Sequence, residues 1–275
     1  MEALVALVLF AIVATILYRT LVGGQRLLRA HVQDVAMNES TRAALSILPA
    51  EFRELSAGDG DILVMGPTSI TFKSMQALYV LCAAPDTAVA RVLLDSATVF
   101  RSRSVDVPDD SVLMFAERDP ATHLDDAWLS ASASSATAGT ECPGGQPSLS
   151  LTLSGIPASQ LADVQVGAPV RTFRVVQVLA YQDASRDWWL GRRQFQPSTG
   201  SWSIVQPVLG PLSGTGLALT YLDAAGTPTD SAGAVARIGV RVQSRSPERV
   251  YRPAGGMYLV HDAATRVALR NNPRY

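Results

Sequence analysis

Glu2-Ala-Leu-Val-Ala-Leu-Val-Leu-Phe-Ala-Ile-Val-Ala-Thr-Ile-Leu-Tyr18 is the stretch on which the reading of this 275-residue chain turns. Ala3 to Tyr18 is sixteen residues without a charge, and Thr15 is its one clearly polar side chain. At about 1.5 Å per residue this run extends roughly 24 Å as a helix. A bilayer core is about 30 Å thick and takes about 20 residues. The run is nearly a transmembrane helix. Glu2 stands before it with no basic residue ahead, and Arg19, Arg26 and Arg29 all follow it. By the positive-inside rule alone, that order places the body of the protein in the cytoplasm. A secretory signal peptide is a poor fit, because the basic residues lie on the wrong side. The pattern suggests that residues are missing upstream of Met1.

Working outward, Leu21, Leu28, Val32 and Val35, then Leu45, Leu48, Phe52 and Leu55, recur at three-, four- or seven-residue steps. The spacing predicts one long amphipathic helix continuing to about Leu55. Gly23-Gly24 weakens it, Pro49 should kink it, and Ser56-Ala-Gly-Asp-Gly-Asp61 ends it. Beyond Asp61 the period becomes two. Ile62–Met65 and Ser69–Phe72 read as a hairpin, and Ala77–Ala83 as an apolar strand. Val89–Leu94, Val112–Phe115, Leu149–Leu153, Thr172–Tyr181, Trp188–Phe195, Ser201–Val208, Gly216–Leu222 and Val235–Gln243 are strand-like. Ala127–Gln146, rich in Ser, Ala and Gly, reads as a loop.

Composition narrows the function classes. Hydrophobic residues make up 48% of the chain, ample for a cored domain, and the net charge is −1. Lys73 is the only lysine, and the arginines are scattered, so no nucleic-acid surface is indicated. Cys82 and Cys142 have no metal-ligand spacing. In an exported head they suggest a disulfide, closing a loop of about 60 residues for roughly 4 kcal/mol; two separate buried thiols are the alternative. Acidic clusters at Asp59/Asp61, Asp106/Asp109/Asp110 and Asp125/Asp126 read as solvated turns before calcium ligands. His31, His123 and His261 form no metal pattern. Gly210-Pro-Leu-Ser-Gly-Thr-Gly216 lacks the Lys-Ser/Thr ending of a phosphate loop and reads as turn glycines between strands. Trp188-Trp189 beside Arg192-Arg193 reads as strand alternation. No nucleophile elbow or Ser/His/Asp set is present, so no catalytic residue, metal or cofactor is expected.

Glu2 followed by Ala-Leu-Val-Ala and the apolar run resembles the start of prepilin-type proteins, after their cleavage site. Arg42 to Leu55, with Ala43-Ala-Leu45 and Glu51-Phe-Arg-Glu-Leu55, is similar to the end of the long helix in J-type pseudopilins of type II secretion and W-type minor pilins. Leu212-Ser-Gly-Thr-Gly-Leu-Ala-Leu-Thr-Tyr-Leu-Asp-Ala-Ala-Gly226 and Thr265-Arg-Val-Ala-Leu-Arg-Asn271 are similar to segments of the same proteins. The resemblance implies an α+β, pilin-like fold: a long N-terminal helix, membrane-spanning in its first part, packed on an antiparallel β-sheet head. It divides the chain into a transmembrane segment 1–22, an amphipathic continuation 23–56 and a periplasmic β-rich head 57–275. It implies a non-enzymatic minor subunit of a type II secretion pseudopilus or type IV pilus, helping to initiate or cap the filament. The partners it implies are other pilin-like subunits (major and minor pseudopilins), prepilin peptidase and an inner-membrane assembly platform. Glu2 would pair with the N-terminal ammonium of a neighbouring subunit and set the helix register; from the apolar run alone, Glu2 reads rather as a carboxylate at the headgroups. Partner contacts are expected at Gly58–Phe72, at 127–146, or at both. A signal-anchored periplasmic binding or enzymatic domain, and a pilus-tip adhesin, are the competing readings.

Overall fold

The computed structural model describes residues 2–101, 104–119, 121–122, 125–252 and 255–270. Helix α1, Glu2–Arg53, runs through both Gly23-Gly24 and Pro49. At 1.5 Å per residue it is about 78 Å long. Its first buried residue is Met37, followed by Thr41, Ala44, Leu48, Pro49 and Phe52. That spacing of three and four is the stripe of a helix with one docked face.

The strands follow in chain order: β1 (Ile62–Met65), β2 (Ser69–Leu81), β3 (Arg91–Arg101), β4 (Ser111–Ala116), β5 (Ala127–Ala138) and β6 (Ser148–Ser154). A short helix α2 (Ala158–Leu161) leads to β7 (Pro169–Gln182), β8 (Trp188–Gln196), β9 (Ser201–Trp202) and β10 (Gln206–Leu222). The chain continues with β11 (Arg237–Arg245), β12 (Val250–Arg252), β13 (Gly255–Met257) and β14 (Val260–Ala268). Strands β2, β3, β6, β5, β4 and β7 are neighbours in that order, and β7 pairs back onto β2. They close a six-stranded antiparallel barrel, and β1, β8, β10, β11 and β14 extend the sheet beyond it.

This corrects the expected pilin-like α+β head, a single sheet laid on a helix. The physical cause lies in the β2–β7 ribbon. Ile70 and Phe72 pair with Val178 and Val176, and with Phe52 of α1 they belong to one core. A bulge between Met75 and Ala77 then inserts one residue, so Ala77 and Tyr79 pair with Thr172 and Val170. Apolar positions change parity from 70 and 72 to 77, 79 and 81. The bulge keeps them all on one face, since a slip of one residue otherwise turns every side chain over. Beyond the bulge that face is covered by the barrel's own strands. Tyr79, Leu81, Val92, Leu94, Met114 and Leu151 are at most 1% exposed there, so side chains fill the barrel.

The stretch 127–146 is likewise not a loop: its first part is barrel strand β5. Leu129, Ala131 and Ala133 point inward and are buried. Small side chains suit the narrow interior of so few strands. The Gly210–Gly216 segment is not a turn between strands either. It lies inside the 17-residue β10, where pairing with β11 shifts between Leu212 and Leu217. Gly214 and Gly216 both have φ of 58°, a left-handed conformation that glycine adopts without steric cost.

Candidate functional site: the N-terminal helix

Among the described residues, α1 is the one helix long and apolar enough to cross a membrane, and none of its apolar window is buried against the rest of the chain. Leu4, Leu7, Phe10 and Leu17 are exposed, Phe10 by 74%. A soluble monomer rarely leaves a contiguous apolar surface of this kind open. The two threonine hydroxyls in this region are satisfied inside the helix. Thr15 donates to the Ala11 carbonyl at 2.7 Å and Thr20 to that of Ile16 at 2.9 Å. A segment surrounded by hydrocarbon needs its polar groups paired in this way. Glu2 lies in the first turn of α1 and has no ion-pair partner among the described residues.

The second half of the helix is anchored by several contacts of different kinds. Asp34 Oδ1 meets His261 Nε2 on β14 at 2.9 Å. Thr41 Oγ1 and Ser244 Oγ on β11 share a buried hydrogen bond of 2.8 Å. Glu51 faces Arg192 on β8 at 3.7 Å, and burial raises the Glu51 carboxyl above its ordinary value while Arg192 opposes the shift. Phe52 meets Phe72 edge to face, centroids 5.5 Å apart. The Arg270 N–H donates to the Arg53 carbonyl at 2.8 Å, satisfying one of the open acceptors at the helix end. No sequence pattern singled out Thr41, Ser244, Asp34 or His261 as a contact. The alternation in 260–268 was the available signal for β14.

The remaining sequence candidates separate. Cys82 and Cys142 form a disulfide joining the end of β2 to the β5–β6 connection. Asp61 accepts the Ser56 N–H at 2.8 Å and is buried, which raises its carboxyl. Asp106 and Asp110 both bind Arg174, and Asp109 accepts from Ser198. Trp188 packs on the helix-side core, whereas the Trp189 indole donates to Asp183 at 3.0 Å. Arg192 turns to Glu51, but Arg193 stacks over Trp202 at 4.8 Å. Trp188, Trp189, Arg192 and Arg193 therefore make no common platform. His31 is exposed on α1, His261 is bonded to Asp34, and His123 and Asn271 lie outside the described residues. No group of three or more His, Cys, Asp or Glu is placed to hold a metal among the described residues. Of the two expected contact regions, Gly58–Phe72 contains the edge strand β1 with exposed Leu63 and Val64. The other is largely built into the barrel. Comparison with protein-family models, curated proteins and solved structures finds no match for the chain.

Proposed function

We propose that the chain is a low-copy structural subunit of a bacterial pilus-like filament, a type II secretion pseudopilus or a type IV pilus, and that it acts without catalysis. The observation that carries the reading is the continuity of α1. One half is apolar, unburied and headed by Glu2; the other half of the same helix is docked on the head. Such a helix needs lipid around it or other helices beside it. A carboxylate at that depth is costly unless paired, and an intramembrane charge is a functional position by default. The N-terminal ammonium of a neighbouring subunit would supply the pair, with major and minor pseudopilins, prepilin peptidase and an inner-membrane platform as partners. The prepilin-type motifs support the same reading; the barrel adds no weight to it. The disulfide favours a head in the oxidising periplasm, with the helix as a single inner-membrane anchor.

The test is the mass of the mature N-terminus, expressed from the native upstream reading frame together with a prepilin peptidase. A methylated terminus a few residues before Glu2 is the expected result. An uncleaved terminus, or cleavage after Tyr18, would sink the proposal. That outcome would favour a second reading, an anchored binding head. The specific observation behind it is the barrel, which has a core of its own, separate from the core that α1 joins.

A further inference from the structure

Strand β14 runs alongside α1 in the same direction: His261 meets Asp34 near its start, and Arg270, just past its end, meets Arg53. The end of the head that holds Val260 therefore faces the apolar half of the helix. The hairpin of β12 and β13, which includes the Val250–Met257 pair, lies at that end, and β12 rests against α1. The docked stripe of the helix ends at Met37. Beyond it toward the N-terminus, Gly23, Leu27 and Ala30 of α1 and Val250 and Leu259 of the head line a wedge of about 520 Å³. Gly23 is five residues past Tyr18, about 7.5 Å along the axis. A headgroup layer extends about 5–7 Å beyond the hydrocarbon on each side. With the apolar run in a bilayer, the hairpin thus reaches headgroup depth.

The exposed side chains suit that depth. Met257, Tyr258 and Val260 are large apolar groups left open to solvent, and tyrosine is enriched at membrane interfaces. The Arg245 and Arg249 guanidinium groups lie 4.5 and 5.5 Å from the Tyr258 ring centroid, within cation–π range. Arg245 is engaged by Asp187. Arg249 is exposed and has no carboxylate within ion-pair distance among the described residues. Arg19, Arg26 and Arg29 lie on the adjoining turns of α1. The carboxylates of this region besides Asp187 are Glu248 and Asp34, and Asp34 is bonded to His261. The cations outnumber them.

We infer that the β12–β13 hairpin is a second membrane contact, docking on the bilayer beside α1 and binding anionic phospholipid there. Met257 and Tyr258 enter the headgroup layer, as side chains with an apolar body and a polar tip do at such a boundary. Arg249 meets the negative headgroups, and lipid fills the wedge between helix and hairpin. Two separate contacts, helix and hairpin, fix the tilt of the head over the membrane. The inference rests on the reading of α1 as a membrane anchor, and not on the filament.

The test places the full chain in phospholipid nanodiscs, with a fluorophore on Met257→Cys or on Ala225→Cys. Cys82 and Cys142 are bonded to each other and do not label. Ala225 follows β10 at the far end of the head, where Leu222 pairs with Arg237 and Arg237 with Ala268. Lipids with a nitroxide on the headgroup quench a fluorophore at the bilayer surface. Quenching is expected at position 257 and not at position 225, and more strongly with phosphatidylglycerol than with phosphatidylcholine alone. A cation near an anionic surface shifts partition about fivefold, so Arg249→Glu should remove at least about half of that excess. Should Arg249→Glu not enter nanodiscs, Arg249→Gln is read instead, with a smaller loss in the same direction. Equal quenching at the two positions, in a chain that co-elutes with the nanodisc, overturns the inference and leaves the anchor standing. So does quenching that ignores lipid charge, or that either variant leaves unchanged. A chain that does not co-elute with lipid removes the anchor and the inference together.

Discussion

Thr41 Oγ1 and Ser244 Oγ lie 2.8 Å apart in a buried contact that joins α1 to β11 across 203 residues of sequence. Thr41 is 3% exposed and Ser244 2%. Each hydroxyl is therefore the other's substitute for water. Thr41→Val keeps the shape of the side chain and strands the Ser244 hydroxyl, at a cost of about 1–3 kcal/mol. Thr41→Val with Ser244→Ala should recover part of that loss. Urea denaturation of the four variants in a double-mutant cycle reads the coupling; strictly additive effects would mean the bond contributes nothing.

Arg174 is the hub of a second buried set. Its Nε donates to Asp110 at 2.8 Å and its Nη1 to Gln194 at 3.0 Å, and it also binds Asp106. Asp110 is 0% exposed. Removing the guanidinium takes one charged partner from a buried carboxylate that also accepts the Asp106 N–H, so Arg174→Ala should cost about 3 kcal/mol. Asp106 is 61% exposed at its side chain, and Asp106→Ala should cost far less, about 1 kcal/mol at most. Equal losses in thermal unfolding would show that the burial of Asp110 is not what matters.

The Cys82–Cys142 bond closes 60 residues of chain. It ties the strand leaving the shared ribbon to the β5–β6 connection within the barrel. Replacing both cysteines by serine should lower stability by about 4 kcal/mol in the chain-entropy model. The loss should fall first on the barrel, with hydrogen exchange rising in β3, β5 and β6 before α1 undocks. Uniform loss of protection would mean that barrel and helix core unfold as one unit.

Asp262 on β14 accepts from Arg241 and Gln243. Their hydrogen bonds hold its carboxyl down, from an ordinary 3.8 to about 2. The folded state thus releases this proton more readily than the unfolded chain. The stabilisation is complete above 3.8 and is lost as pH falls through about 2. The pair lies at the surface, so the difference between the parent chain and Asp262→Asn should be small. It should be present at neutral pH and absent at the acid end of that window. A difference that grows on acidification would contradict the sign.

What could be read from the chain alone was local. The uncharged run from Ala3 to Tyr18 announces a helix able to cross a membrane, because length and apolarity are properties of consecutive residues. The stripe ending at Phe52 and the alternation in β7, β8 and β11 are local in the same sense. The strand around Ala131 was not legible. Small residues read as loop composition until a narrow barrel interior gives them something to fill.

Closure of the barrel lay further from reach. It depends on Ser69 meeting Leu179 and Tyr79 meeting Val170, pairs about a hundred residues apart. Periodicity says which face of a strand is apolar, but not which distant strand will cover it. The bulge at Met75 was visible as a change of parity, which by itself also fits two separate strands. Only the tertiary structure decided between them, because one continuous β7 pairs along both halves of β2. The same folding brought Gly23, Val250 and Leu259 to one wedge, although Gly23 lies in α1 and the other two far along the chain.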